Sequence, residues 1–184
     1  MIVLDISGSM NVYAQSSKSR IQIIKETLNG HDGKAGLLDT FSFVDYISIV
    51  LFNGEANVLS ISDEYSSDLY LVQATTQNIA KAKTAVNGIA ANGQTNFRAG
   101  FKKAFEVLQT SAKTEGHTSS CSSVILFLTD GKDGDCETCD SYRDSYGACK
   151  CTENMLSQID EMQSQLETAG GKRATVFTYS MGEF

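Results

Sequence analysis

The chain has 184 residues, 41% of them apolar and 20% charged, enough for one domain with a real hydrophobic core and unlike a disordered or collagen-like chain. Asp and Glu number 22 against 15 Lys and Arg, a net charge of −7 with no basic stripe, which argues against nucleic-acid binding through phosphates. No apolar run approaches the ~18–20 residues of a membrane span, and no signal-peptide pattern is visible at the start.

In chain order, residues 2–6 form a short apolar run of the kind a buried parallel strand takes. Ile21, Ile24 and Leu28 recur at helical spacing. Residues 29–36 read as a loop from their glycines and Asx residues, with helical residues resuming at Leu37 and Leu38. Residues 46–52 form a second strand and 56–61 a shorter one. Asn53-Gly54 between them is a hairpin signal, so the two are expected to be antiparallel neighbours. Ile79, Ala82, Val86 and Ile89 mark a helix expected to stop at Asn92-Gly93. Phe97, Phe101, Phe105 and Leu108 mark another, their spacing that of core packing against a sheet. Residues 124–128 are the most apolar strand. Met155, Ile159, Met162 and Leu166 mark a fourth helix stopping at Gly170-Gly171, and residues 174–180 a last strand.

Strands alternating with amphipathic helices imply an α/β fold: a doubly wound, mainly parallel central sheet, helices on both faces and one antiparallel edge strand. No internal repeat is evident, so residues 1–184 are expected to form a single domain. Because it begins and ends on strand patterns, it is expected to be a piece of a longer protein. Residues 29–36 and 132–151 break the rhythm and read as surface insertions.

In an open α/β sheet, ligands bind beyond the carboxyl ends of the strands. After the first strand come Asp5, Ser7 and Ser9; after the strand at 124–128 come Thr129, Asp130 and Gly131; before the phenylalanine helix stands Thr95. These loops offer two carboxylates and at least three hydroxyls, with no His or Cys. Such hard oxygen donors suit Mg²⁺, Ca²⁺ or Mn²⁺ rather than zinc. They carry too little charge to satisfy a divalent ion, so the site keeps a water or takes an oxygen from outside, such as an Asp or Glu carboxylate of a partner. Gly8 is expected to make the tight turn that aims Ser7 and Ser9 at one ion.

The series Asp5-x-Ser7-x-Ser9, then Thr95, then Asp130 within Phe127-Leu128-Thr129-Asp130-Gly131, resembles the metal-ion-dependent adhesion site of von Willebrand factor type A domains. That resemblance implies an ion, Mg²⁺ first, held directly or through water by Asp5, Ser7, Ser9, Thr95 and Asp130. A closer resemblance is to the A domain of the alpha-2-delta auxiliary subunits of voltage-gated calcium channels. It rests on residues 71–75 (Leu-Val-Gln-Ala-Thr), on 92–97 (Asn-Gly-Gln-Thr-Asn-Phe) with Gly100, Phe101, Ala104 and Phe105, on Cys121, and on 176–182 (Val-Phe-Thr-Tyr-Ser-Met-Gly). It implies an extracellular or cell-surface setting, a role in channel trafficking, and a pore-forming channel subunit as a candidate partner. The insertions at 29–36 and 132–151 depart from that pattern, and one further strand and helix would be expected after residue 184.

Four of the five cysteines, Cys136, Cys139, Cys149 and Cys151, lie in the second insertion. Their spacing leaves a zinc site open, although the second pair is too close for a usual zinc knuckle. The extracellular resemblance favours two disulfides among them, with three alternative pairings, each worth about 2–3 kcal/mol. Cys121 is either a buried free thiol at a strand start or the partner of a cysteine in a part of the parent chain beyond this sequence. His31 and His117 lie in polar loops and need no role; Asp133 and Asp135 could extend an ionic site, but a solvated acidic loop is the favoured reading.

The leading function is a non-enzymatic, cation-dependent protein-binding module. One rival is an Mg-dependent phosphoryl-transfer or chelatase-associated domain, but no Walker-type lysine loop and no placed nucleophile or general base is present. A second rival is a metal-independent structural domain.

Overall fold

The computed structural model describes residues 1–14, 17–63, 69–118, 121–131 and 151–181, without the side chains of 151–153. The first apolar run becomes β1 (Ile2–Asp5), buried along its whole length. Helix α1 (Arg20–Asn29), the short β2 (Gly30–His31) and β3 (Lys34–Ala35), β4 (Tyr46–Ile47), β5 (Ile49–Phe52) and β6 (Ala56–Val58) follow. Then come β7 (Val72–Gln73), α2 (Thr76–Asn87), α3 (Phe97–Lys113), β8 (Val124–Thr129), α4 (Cys151–Thr168) and β9 (Thr175–Ser180).

Five strands make the central sheet in the order β6-β5-β1-β8-β9. β1 pairs in parallel with β5 and β8, and β8 with β9; only β6 runs antiparallel, with Val50 opposite Val58 across the Asn53-Gly54 turn. Alternation along the strands assigns the two faces. Ile2, Leu4 and Ile49 pack with Ile21, Ile24, Leu28, Ala82 and Val86 of α1 and α2. Val3, Val50, Phe52, Ile125 and Phe127 pack with Phe101, Ala104, Phe105 and Leu108 of α3 and Leu166 of α4. Each large side chain fully buried here contributes about 1.5–3 kcal/mol. The phenylalanines of α3 are core: Phe101 stacks on Phe127 at 4.2 Å between ring centroids. The mainly parallel sheet with helices on both faces and one antiparallel edge strand is therefore the observed fold.

Three local readings change. Residues 46–52 are two strands, because the run serves two partners. Tyr46 and Ile47 pair with Gln73 and Val72, while Ile49 onward pairs with β1 and the Ser48 carbonyl accepts from Ile2 N–H at 2.9 Å. Helix α2 stops at Asn87, with Gly88 as its cap. The next residues bridge to the first loop instead: Asn92 N–H donates to the Ile6 carbonyl (2.7 Å), and the Gly93 carbonyl accepts from Gly8 N–H (2.9 Å). Residues 29–36 are not a plain loop; they hold the β2–β3 ribbon, whose ends cross so closely that a Cβ on Gly36 would lie 2.2 Å from the Gly30 nitrogen. Leu37–Thr40 is a single 3₁₀ turn. The second insertion lies outside the described residues except its last member, Cys151, which opens α4.

Candidate functional site

The register of the sheet builds the site. Ile2, Val3 and Leu4 lie opposite Leu126, Phe127 and Leu128, so the next step brings Asp5 beside Thr129 at the carboxyl ends of two adjacent parallel strands. β1 is also where the strand order reverses, with β5 on one side and β8 on the other, the place where open α/β sheets form a crevice. Asp5 is fully buried. Its Oδ1 accepts from Ser7 N–H (2.7 Å) and its Oδ2 from the Thr129 hydroxyl (2.7 Å). The Ser7 and Ser9 hydroxyls are hydrogen-bonded at 2.9 Å, and the Ser9 hydroxyl donates to Asp130 Oδ1 at 2.9 Å. Four of the five expected side chains, Asp5, Ser7, Ser9 and Asp130, thus form one connected group.

Thr95 is half-buried on a third loop, held against the first by the Gly8–Gly93 bond. Among the described residues no hydrogen bond links its hydroxyl to the other four. Nor does it cap α3: that role falls to Asn96, whose Oδ1 accepts from Ala99 N–H at 2.9 Å. The expected role of Gly8 also changes. Its φ is not positive, and a Cβ there would meet the Gly93 carbonyl at an ordinary 3.4 Å. The left-handed glycine of the site is Gly93, at φ 79°. Met10, fully buried under the 3₁₀ turn Gly8–Asn11, anchors the serine loop instead.

Burial pushes the Asp5 carboxyl above its usual range, and the nearby Asp130 charge pushes the same way; bonds from Ser7 and Thr129 oppose them without cancelling them. Two neighbouring buried carboxylates favour positive charge beside them. Among the described residues no three His, Cys, Asp or Glu side chains gather to hold an ion, so any ion here would rest on two carboxylates and the hydroxyls. That donor set, all hard oxygen with lone pairs to spare, fits Mg²⁺, Ca²⁺ or Mn²⁺.

One residue went unread in the sequence. Arg20, the first residue of α1, sends Nη1 to Asp130 Oδ2 at 2.6 Å and to the Ser9 carbonyl at 3.4 Å. Its side chain is 18% exposed, that of Asp130 0%, and its Nε is buried without a hydrogen-bond partner among the described residues. A signal existed: a basic residue in the first turn of a helix runs against the helix dipole, so its placement asks for a reason.

The remaining candidates stand apart. Cys121 is exposed and, among the described residues, unpaired, three residues before β8 begins, so it is neither buried nor at the strand start. Cys136, Cys139 and Cys149, like Asp133 and Asp135, lie outside the described residues, as does the side chain of Cys151. His117 is not a bare loop residue: it stacks on Tyr70 at 4.5 Å, its Nδ1 3.2 Å from the Leu71 carbonyl. His31 lies 3.1 Å from Asp32.

Comparison with known proteins agrees with the fold. The family model for the von Willebrand factor type A domain matches residues 1–132. The human voltage-dependent calcium channel subunit alpha-2/delta-2 is 33% identical over 131 residues, 71% of this chain and 10% of that protein. The mouse inter-alpha-trypsin inhibitor heavy chain H3 is 32% identical over 131 residues, 71% of this chain and 12% of that protein. The chain therefore spans about a tenth of the length of these relatives. Among solved structures, a von Willebrand factor type A protein from Catenulispora acidiphila superposes with a TM-score of 0.62 at 20% identity, over 97% of this chain and 37% of that one.

Proposed function

The chain belongs to the von Willebrand factor type A domain family, and from that premise we propose that it is a divalent-cation-dependent protein-binding module without catalytic turnover. The observation that carries this reading is the connected group Asp5–Ser7–Ser9–Asp130 at the sheet's switch point. Asp5 and Asp130 supply the negative charge, Ser7 and Ser9 supply hydroxyls from one turn, and Thr95 completes the set from the adjoining loop. A bound ion, Mg²⁺ in the first place, would offer a coordination position to an Asp or Glu of a protein partner. The chain is one domain of a larger protein. Its setting is extracellular or at the cell surface, and similarity to alpha-2/delta-2 supports a calcium channel's pore-forming subunit as the partner. Among the described residues no helix is long and apolar enough to cross a membrane.

Calorimetry and thermal melts with Mg²⁺ or Mn²⁺ test the site. At a hundredfold excess over Kd the ion stabilises the fold by about 2.7 kcal/mol. Asp5→Ala removes both the heat and the shift. No heat in the wild type, or equal heat in the variant, sinks the site. A phosphatase and nucleotidase panel with the same ions tests the absence of turnover; activity that disappears in Asp130→Ala would overturn it.

A further inference from the structure

Asp5 and Asp130 are not served alike. Asp5 is met by neutral donors, Ser7 N–H and the Thr129 hydroxyl. Asp130 is met by a full positive charge, Arg20, at 2.6 Å. Among the described residues no other Lys or Arg pairs with either carboxylate. We propose that Arg20 is a tethered counter-cation of this site, holding Asp130 when no ion is bound and competing with a divalent cation for that carboxylate. The inference rests on the cation-binding reading above.

Two features make Arg20 a competitor rather than a helper. First, its charge has the sign of the incoming ion and lies against one of the two carboxylates that the described residues bring to the site, so the two repel at a buried position. Secondly, the docked guanidinium carries a cost. Its Nε is buried and finds no acceptor among the described residues, and an unpaired buried donor is repaired by release to water. The side chain has somewhere to go, because it starts at the first residue of α1, at the rim, and is already 18% exposed. Without an ion, the same charge balances Asp130 and ties the start of α1 to the end of β8.

This division predicts opposite signs for stability and affinity. Calorimetric titration with Mg²⁺ and with Mn²⁺, each alone, is to be run on wild type, Arg20→Gln and Arg20→Lys, with melts in EDTA alongside. Arg20→Gln should melt lower in EDTA, yet bind the ion at least about tenfold more tightly, equivalent to 1.4 kcal/mol. Arg20→Lys keeps the charge but loses the planar fork, and its affinity should fall between the two. A merely structural arginine predicts the reverse, lower stability together with weaker binding. Equal or weaker binding in folded Arg20→Gln overturns the proposal and leaves the cation site standing. Should Arg20→Gln not fold, binding in Arg20→Lys weaker than wild type does the same. Absence of ion binding in all three proteins overturns the site and this inference together.

Discussion

Replacing Thr129 by valine isolates one bond at the centre of the site. Thr129 is 6% exposed, and its hydroxyl donates to Asp5 Oδ2 at 2.7 Å. Valine keeps the shape and removes the donor. A hydrogen bond to a charged group contributes about 1.5–3 kcal/mol, and the added methyl returns at most about 0.8 kcal/mol by burial. The net loss is about 1–2 kcal/mol, or about 2–8 °C in Tm for a chain of this size. The loss also depends on pH. Asp5 titrates above its ordinary range because of burial, and the Thr129 bond opposes that shift. The folded protein therefore holds the Asp5 proton more tightly than the unfolded chain. The stability this confers is present below the ordinary carboxylate range and is lost as pH rises through the raised folded value. Valine pushes Asp5 further up, so its deficit must be larger at pH 7 than at pH 4. Urea unfolding in EDTA at both values measures this, with Thr129→Ser as the control that retains the hydroxyl. A deficit below about 0.5 kcal/mol, or one equal at both pH values, refutes the view that this hydroxyl acts through the Asp5 charge.

Three further outcomes are expected. Asp5→Asn should be at least as stable as the wild type in EDTA at pH 7, since it removes a charge held against its solvation, but should show no cation-induced rise in Tm. Gly100→Ala puts a Cβ 2.9 Å from the Phe52 ring, and overpacking of about 1–3 kcal/mol should outweigh the ~1 kcal/mol gained in helix propensity. A denaturant melt showing stabilisation would disprove that contact. Non-reducing peptide mapping should pair Cys136, Cys139, Cys149 and Cys151 among themselves and leave Cys121 free; stoichiometric zinc with four free loop thiols would show a metal staple instead.

The strands and helices were legible because their signals are periodic and local. Ile21, Ile24 and Leu28 announce a helix face, and all three are buried in it. Asp5, Ser7, Ser9 and Asp130 were legible for a different reason: a parallel sheet aligns its strand ends, so residues just past two apolar runs must meet. What escaped depended on pairing decided elsewhere. The break at Ser48 follows from β7, two residues long and too short to read as a strand. The early end of α2 follows from the need of Ile6 and Gly8 for backbone partners, which residues 92 and 93 supply. Arg20 escaped because it stands 110 positions from Asp130, and nothing in its own neighbourhood names its partner.

The placement of that arginine bears on how the site divides its charge. Asp130 closes the crevice from the end of β8 and is already neutralised at one oxygen by Arg20. Asp5 is fully buried, has no cation beside it among the described residues, and titrates high because its charge is poorly solvated. On the proposed cation reading, the uncompensated charge an ion would meet is mainly that of Asp5, whereas Asp130 already shares its Oδ2 with Arg20. Ser9 stands between the two: its hydroxyl is bonded to Ser7 and donates to Asp130, while its carbonyl lies 3.4 Å from Arg20. A change in how Asp130 is held therefore reaches the serine turn directly. That turn carries the Gly8 N–H bond to Gly93, so the loop bearing Thr95 is coupled to the same event. The three loops form a single hydrogen-bonded frame in which the counter-charge of Asp130 affects all five of the proposed ligand positions.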